Sequence, residues 1–156
     1  MRVVVAALLA LAVGALVNAS GWCAEPEPAP RQGINPDLKT YPQGTPQETL
    51  ASVLKAIENK RVDYLLAHLA DPEWVDQRLK DTGGKLNELR QETTLRLVDD
   101  PGAAKQLQRL IKEGEWDLEA ADASVHCKEG TDRWVFLRKN NGRWFLENRW
   151  KPERSR

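Results

Sequence analysis

The chain has 156 residues, with 23 basic and 23 acidic side chains balancing each other, two histidines and two cysteines. That length suits one domain, the charge balance argues against a nucleic-acid-binding face, and two cysteines cannot build a disulfide scaffold. The fold must therefore rest on an ordinary apolar core.

Arg2 precedes an unbroken apolar run from Val3 to Val17, and Val17-Asn18-Ala19 supplies the small residues of an export cleavage site. Residues 1–19 read as a signal peptide, which makes the mature protein exported, either periplasmic or secreted. The run is shorter than the roughly 20 apolar residues a spanning helix needs, so no stable membrane insertion is expected. Cys23 follows Ser20 and Trp22, where a lipidation site wants a Leu-like and a small residue, so lipid anchoring is not favoured. Cys23 and Cys127 are expected to be unpaired, with a disulfide between them as the competing reading.

Six of the nine prolines lie between Pro26 and Pro46. Such composition buries little apolar area, so residues 20–44 are expected to form a disordered tether. The folded domain is placed at 45–150 and a solvated basic tail at 151–156. Thr45-Pro46-Gln47-Glu48 is a capping box with proline at the first helical position. Leu50, Val53, Leu54 and Ile57 follow on one helical stripe, which ends near Asn59. A second short helix is expected from Asp63 as its cap, carrying Tyr64, Leu65, Leu66 and Leu69. Asp71-Pro72 opens a further segment with Trp74, Val75 and Leu79, open to reading as helix or strand, and Gly83-Gly84 stops it. The next helix, about 85–98, buries Leu86, Leu89, Thr93 and Leu97. Asp100-Pro101 repeats the cap-plus-proline device for a helix presenting Ala103, Leu107, Leu110 and Ile111 up to Gly114.

From Glu115 the periodicity changes to two. Trp116 and Leu118 alternate, the parity slips at Ala120-Ala121 as at a bulge or short loop, and Ala123, Val125 and Cys127 resume it. Arg133–Lys139 and Arg143–Arg149 form a hairpin around Asn140-Asn141-Gly142. A three-residue turn with a bulge at Gly142 would set Phe136 opposite Leu146. Trp134, Phe136, Trp144 and Leu146 would then share one face, and Val135, Leu137 and Phe145 the other. That second face is too apolar for open solvent and requires a cover: a helix, the tether or another subunit.

The fold class is therefore α+β, with N-terminal helices packed on a C-terminal antiparallel sheet of three or more strands. Thr45-Pro46-Gln47-Glu48, Val62-Asp63-Tyr64-Leu65-Leu66 and the closing Asn141-Gly142-Arg143-Trp144-Phe145-Leu146, in that order, resemble the cone-shaped domains of the nuclear transport factor and polyketide cyclase superfamily. Within it the chain looks like small exported bacterial domains of unknown function. Tyr64 to Pro72 is also similar to uncharacterised exported planctomycete proteins. The likeness spans residues 45–150 and implies a cone-like sheet with a cavity. Two long helices, 85–98 and 101–113, depart from that pattern and put the cavity in question.

Candidate chemistry is sparse. His68 sits four residues after Tyr64, on the same helical face. The resemblance implies a base and a hydroxyl donor at a cone mouth, whereas packing at an amphipathic edge is the simpler reading and the favoured one. His126 and Cys127 are neighbours on a strand and point to opposite faces, so they cannot act as nucleophile and base. No metal site and no cofactor are expected. The paired carboxylates Asp71/Glu73, Asp99/Asp100 and Glu113/Glu115 stand at helix boundaries, where acids cap or solvate the end. Trp134 and Trp144 could stack a ligand but fit a core better. Asn148, on the Trp144 face in this register, is the polar side chain expected to see a pocket.

These features favour a non-enzymatic binding or interaction module, whose partner is a small ligand or a protein and not a nucleic acid. Two alternatives stand beside it. One is a small lyase or isomerase using His68 and Tyr64. The other is a self-associating structural protein, dimerising through Val135, Leu137 and Phe145.

Overall fold

The computed structural model describes residues 28–127 and 134–149; the signal segment, Cys23, Trp150 and the basic tail lie outside them. Five helices precede a four-stranded antiparallel sheet, an α+β arrangement. Helix α1 (Pro46–Glu58) begins at the expected capping box. The Thr45 hydroxyl accepts from the Glu48 amide at 3.1 Å, and the Glu48 carboxylate accepts from the Thr45 amide at 3.0 Å. Its inward stripe of Leu50, Val53 and Ile57 is buried, a contribution of about 1.5–3 kcal/mol for each side chain.

Helix α2 (Val62–Tyr64) starts one residue earlier than expected and Asp63 does not cap it. Its carboxylate instead takes a two-pronged bond from Arg61, at 3.0 and 3.2 Å. The helix then widens into a π-helical turn, π1 (Leu65–Leu69), closed by the Ala70 amide donating to Leu65 O at 2.8 Å. All five residues of π1 are buried. Asp71-Pro72 opens helix α3 (Pro72–Asp81), so the segment around Trp74 is helical. Helix α4 (Leu86–Thr93) passes into a second π turn, π2 (Thr94–Val98). Asp100 caps α5 (Pro101–Glu113) by accepting from the Gly102 amide at 2.8 Å.

Strands β1 (Glu115–Leu118), β2 (Asp122–His126), β3 (Val135–Asn140) and β4 (Arg143–Glu147) follow in meander order. The parity slip at Ala120-Ala121 is a turn between two strands, and the sheet has four of them. Gly114 joins α5 to β1 where no side chain fits. A Cβ there would lie 2.3 Å from Leu110 O and 2.4 Å from Val125 Cγ2.

The hairpin register differs by one residue from the expected one. Asn141 and Gly142 both have positive φ, 48° and 79°, and make a two-residue loop of type I′ that pairs Asn140 with Arg143. Leu137, not Phe136, therefore faces Leu146. A slip of one residue exchanges faces. Trp144 and Leu146 share the helix-facing side with Val135 and Leu137, together with Ala123 and Val125 of β2. Trp134, Phe136 and Phe145 belong to the opposite side. Val135, Leu137 and Phe145 thus form no common apolar face, and Leu137 has no accessible surface at all. On the outer side, guanidinium groups cover the two phenylalanines: Arg149 lies 5.1 Å from the Phe136 ring centre and Arg143 lies 5.2 Å from that of Phe145.

Residues 31–43 are not a free tether. Arg31 and Ile34 form a local bridge, Tyr41 is buried, and the Tyr41 ring stacks on Tyr64 at 4.3 Å. A proline-rich segment packs here because its few apolar residues meet partners far along the chain. Gln43 is the firmest of these attachments. Its main-chain oxygen accepts from the Trp144 amide at 3.0 Å. Its buried carboxamide Nε2 donates to Trp144 O at 2.7 Å and His68 O at 2.9 Å. Gln43→Ala leaves both carbonyls without this donor and should lower stability by about 1–3 kcal/mol. A urea unfolding midpoint unchanged from the parent would contradict that role.

Candidate functional site

The helical layer and the open end of the β3–β4 hairpin do not close on each other. Between them lie two adjoining cavities. The first, of about 420 Å³, has walls from π1 (Leu65, Leu66), α3 (Trp74, Arg78) and the end of β4 (Leu146). The second, of about 640 Å³, lies between α1 (Val53, Ile57), α5 (Leu107, Leu110) and the hairpin end (Trp134, Arg149). Arg96, Leu97 and Leu146 line both, so the two cavities adjoin across these three side chains, and together they are the cleft between the helices and the hairpin. Each volume lies in the range of roughly 300–1,000 Å³ usual for small-ligand sites. Leu95, on the second cavity's lip, is 68% exposed.

Both π turns face this cleft. A π turn holds an extra residue per turn, shifts the phase of the side chains and leaves the helix wider there, and such turns recur at functional sites. π1 contributes Leu65 and Leu66, while π2 contributes Leu95, Arg96 and Leu97.

Charged side chains line both cavities: Arg78, Glu92, Arg96 and Glu147 the first, and Arg96, Asp100 and Arg149 the second. Glu92 bridges two guanidinium groups, accepting from Arg96 at 2.8 Å and from Arg78 at 3.3 Å. Glu147, whose side chain is 7% exposed, is held by Arg138 at 2.7 Å and Arg149 at 2.6 Å. Both carboxylates already carry two guanidinium partners.

The residues expected at a site are divided among different places. Asn148 lies just past β4, exposed to solvent, and lines the first cavity. Trp134 lines the second and stacks on His126 at 3.9 Å. Trp144 is buried on the helix-facing side of the sheet, and neither cavity's wall includes it. Trp134 and Trp144 therefore stand on opposite sides of the sheet. Arg96, Leu97 and Leu146 were not expected as a site. Their sequence signal is faint: Leu97 continues the stripe of Leu86, Leu89 and Thr93 and so reads as core, and Arg96 beside it carries no mark of its own.

His68 and Tyr64 lie close together, their ring centres 5.0 Å apart, but residues 34–37 cover them. The His68 Nε2 lies 2.9 Å from Ile34 O, where it donates, and the Tyr64 hydroxyl accepts from the Asp37 amide at 2.9 Å. His68 is 2% exposed, and the small cavity of about 230 Å³ that it borders includes Arg31 and Arg143 but not Tyr64. The pair serves as a lock on the N-terminal arm. Among the described residues, no three His, Cys, Asp or Glu side chains are grouped to hold a metal ion. No helix among them is long and apolar enough to cross a membrane.

No family model, no curated protein and no solved structure matches this chain.

The burial of His68 has a thermodynamic consequence. Desolvation pushes its pKa below the ordinary 6.5, and the nearby Arg143 and Arg31 act in the same direction, against the bond to Ile34 O. The unfolded chain therefore takes up this proton first as the pH falls. Stability held above pH 6.5 should decline as the pH drops through 6.5 towards the lower folded-state value, and this contribution then levels off. Urea midpoints measured across that window should fall more steeply in the parent than in His68→Gln. Equal slopes would remove His68 as the source.

Proposed function

We propose that the protein is a non-enzymatic binding module, exported from the cytoplasm, whose cleft between the helical layer and the β3–β4 hairpin holds a small, largely apolar ligand. One observation carries this reading: two cavities adjoin across Arg96, Leu97 and Leu146, with an exposed leucine, Leu95, at the rim. An exposed large aliphatic side chain beside an apolar cavity is the arrangement expected where a ligand completes the burial. The covered positions of His68 and Tyr64 speak against the lyase or isomerase alternative, because proton transfer requires both groups to reach one substrate. The likeness to the nuclear transport factor superfamily rests on the order of elements and adds no chemistry to this reading.

A solvatochromic anionic dye, 8-anilinonaphthalene-1-sulfonate, tests it. The parent should enhance its fluorescence saturably. Leu95→Asp, which touches only the lip, should weaken binding roughly fivefold through lost apolar contact. Leu118 is similarly exposed but lies on β1, so Leu118→Asp should bind as the parent does. Equal losses in both variants, or no saturable signal in the parent, would overturn the assignment.

A further inference from the structure

We infer that the small cavity beside His68 is a second site, which takes a small oxyanion between Arg31 and Arg143. It is separate from the cleft and stands or falls without it. The N-terminal arm (Ala29, Arg31), π1 (His68) and the turn of the β3–β4 hairpin (Asn140, Asn141, Arg143) converge on a space of about 230 Å³. That is below the roughly 300–1,000 Å³ usual for organic ligands, so a small ion suits it better than an extended molecule. One of its walls is a deeply buried polar side chain, since His68 is 2% exposed.

The sign of the ligand follows from the wall. Among the described residues that line this cavity, the two guanidiniums are the charged groups and none is a carboxylate. Asp76 pairs with Arg31 from outside the wall, so its carboxylate does not fill the space. Both guanidiniums are held in position. Arg31 also donates to Pro72 O at 3.4 Å, and Arg143 lies over the Phe145 ring at 5.2 Å. The Arg31 side chain is 25% exposed, so its charge is less screened than one on open surface. Burial is the main cause that lowers the His68 pKa, and Arg143 and Arg31 add to it, so their positive field reaches this wall. Two like charges beside one small space repel, and an anion between them replaces that repulsion with attraction. Guanidinium forks match the oxygens of such an anion, and the Asn140 and Asn141 carboxamides bring further N–H donors to the same wall.

An NMR titration with inorganic phosphate, at an ionic strength held constant with chloride, tests the inference through the two histidine rings of the chain. The His68 ring signals should shift saturably. Those of His126, which stacks on Trp134 and does not line this cavity, should stay in place. Arg143→Gln should weaken binding at least about tenfold, the loss expected with a charge-assisted contact. Ala29→Glu is a second variant that removes neither guanidinium. Ala29 is exposed and lines the cavity, so a carboxylate there opposes the anion without disturbing the core, and binding should weaken about fivefold. A thermal melt establishes that each variant is folded, and Ala29→Glu decides the matter if Arg143→Gln is not. Equal shifts at both histidines, no saturable shift at His68, or an unchanged affinity in either folded variant would overturn the anion site and leave the cleft reading untouched.

Discussion

The outer edge of β4 is the constraint on which the rest of the molecule depends. As the last strand of a meander it would present unpaired amides and carbonyls on that side, and such edges must be covered or paired. Here two separate parts of the chain cover it. Gln43 meets Trp144 through both its main chain and its carboxamide, and the Asp71 amide donates to Leu146 O at 2.9 Å beside the parallel bridge of Ala70 to Leu146. The same carboxamide reaches His68 O, so the N-terminal arm, π1 and β4 are fastened at one point.

That joint decides where space is left. It draws π1 against β4 and places Leu146 between the sheet and the helices. Leu65 and Leu66 of π1 line the first cavity and residues of π2 line both, so both wider turns border the cleft. Its walls are secondary-structure elements, and the buried bonds of Gln43 fasten π1 to β4 beside it. The arm over His68 and Tyr64 contributes indirectly, since its attachment fixes the position of Gln43.

Local signals were legible in the sequence and tertiary ones were not. The caps at Thr45, Asp71 and Asp100 stand where their residues indicate, because each is satisfied within one turn of helix. Asp63 looked like a fourth cap, yet its neighbour Arg61 competes for the carboxylate and wins. The hairpin was readable, but its register was not. Asn140, Asn141 and Gly142 allow a three-residue turn as readily as a two-residue one, and the difference exchanges the two faces of the sheet. The arm was misread because composition describes what a segment can bury alone, whereas Tyr41 and Gln43 find partners at Tyr64, His68 and Trp144. At the site, Asn148 and Trp134 were recognisable as unusual polar and aromatic residues near a strand end. Arg96 and Leu97 were not, since an apolar residue on the buried stripe of an amphipathic helix and a charged one beside it carry no mark of a site.

The proposed binding module would take its ligand between π2 and the hairpin end rather than beside His68. The most direct test is a titration of the isotopically labelled protein with 8-anilinonaphthalene-1-sulfonate, followed by two-dimensional NMR of its amides and methyl groups. The account predicts saturable shifts concentrated at Ile57, Leu66, Leu97 and Leu146, with His68 and Ile34 unmoved. Shifts concentrated around His68 and Ile34, or spread over exposed leucines such as Leu38 and Leu118, would contradict it.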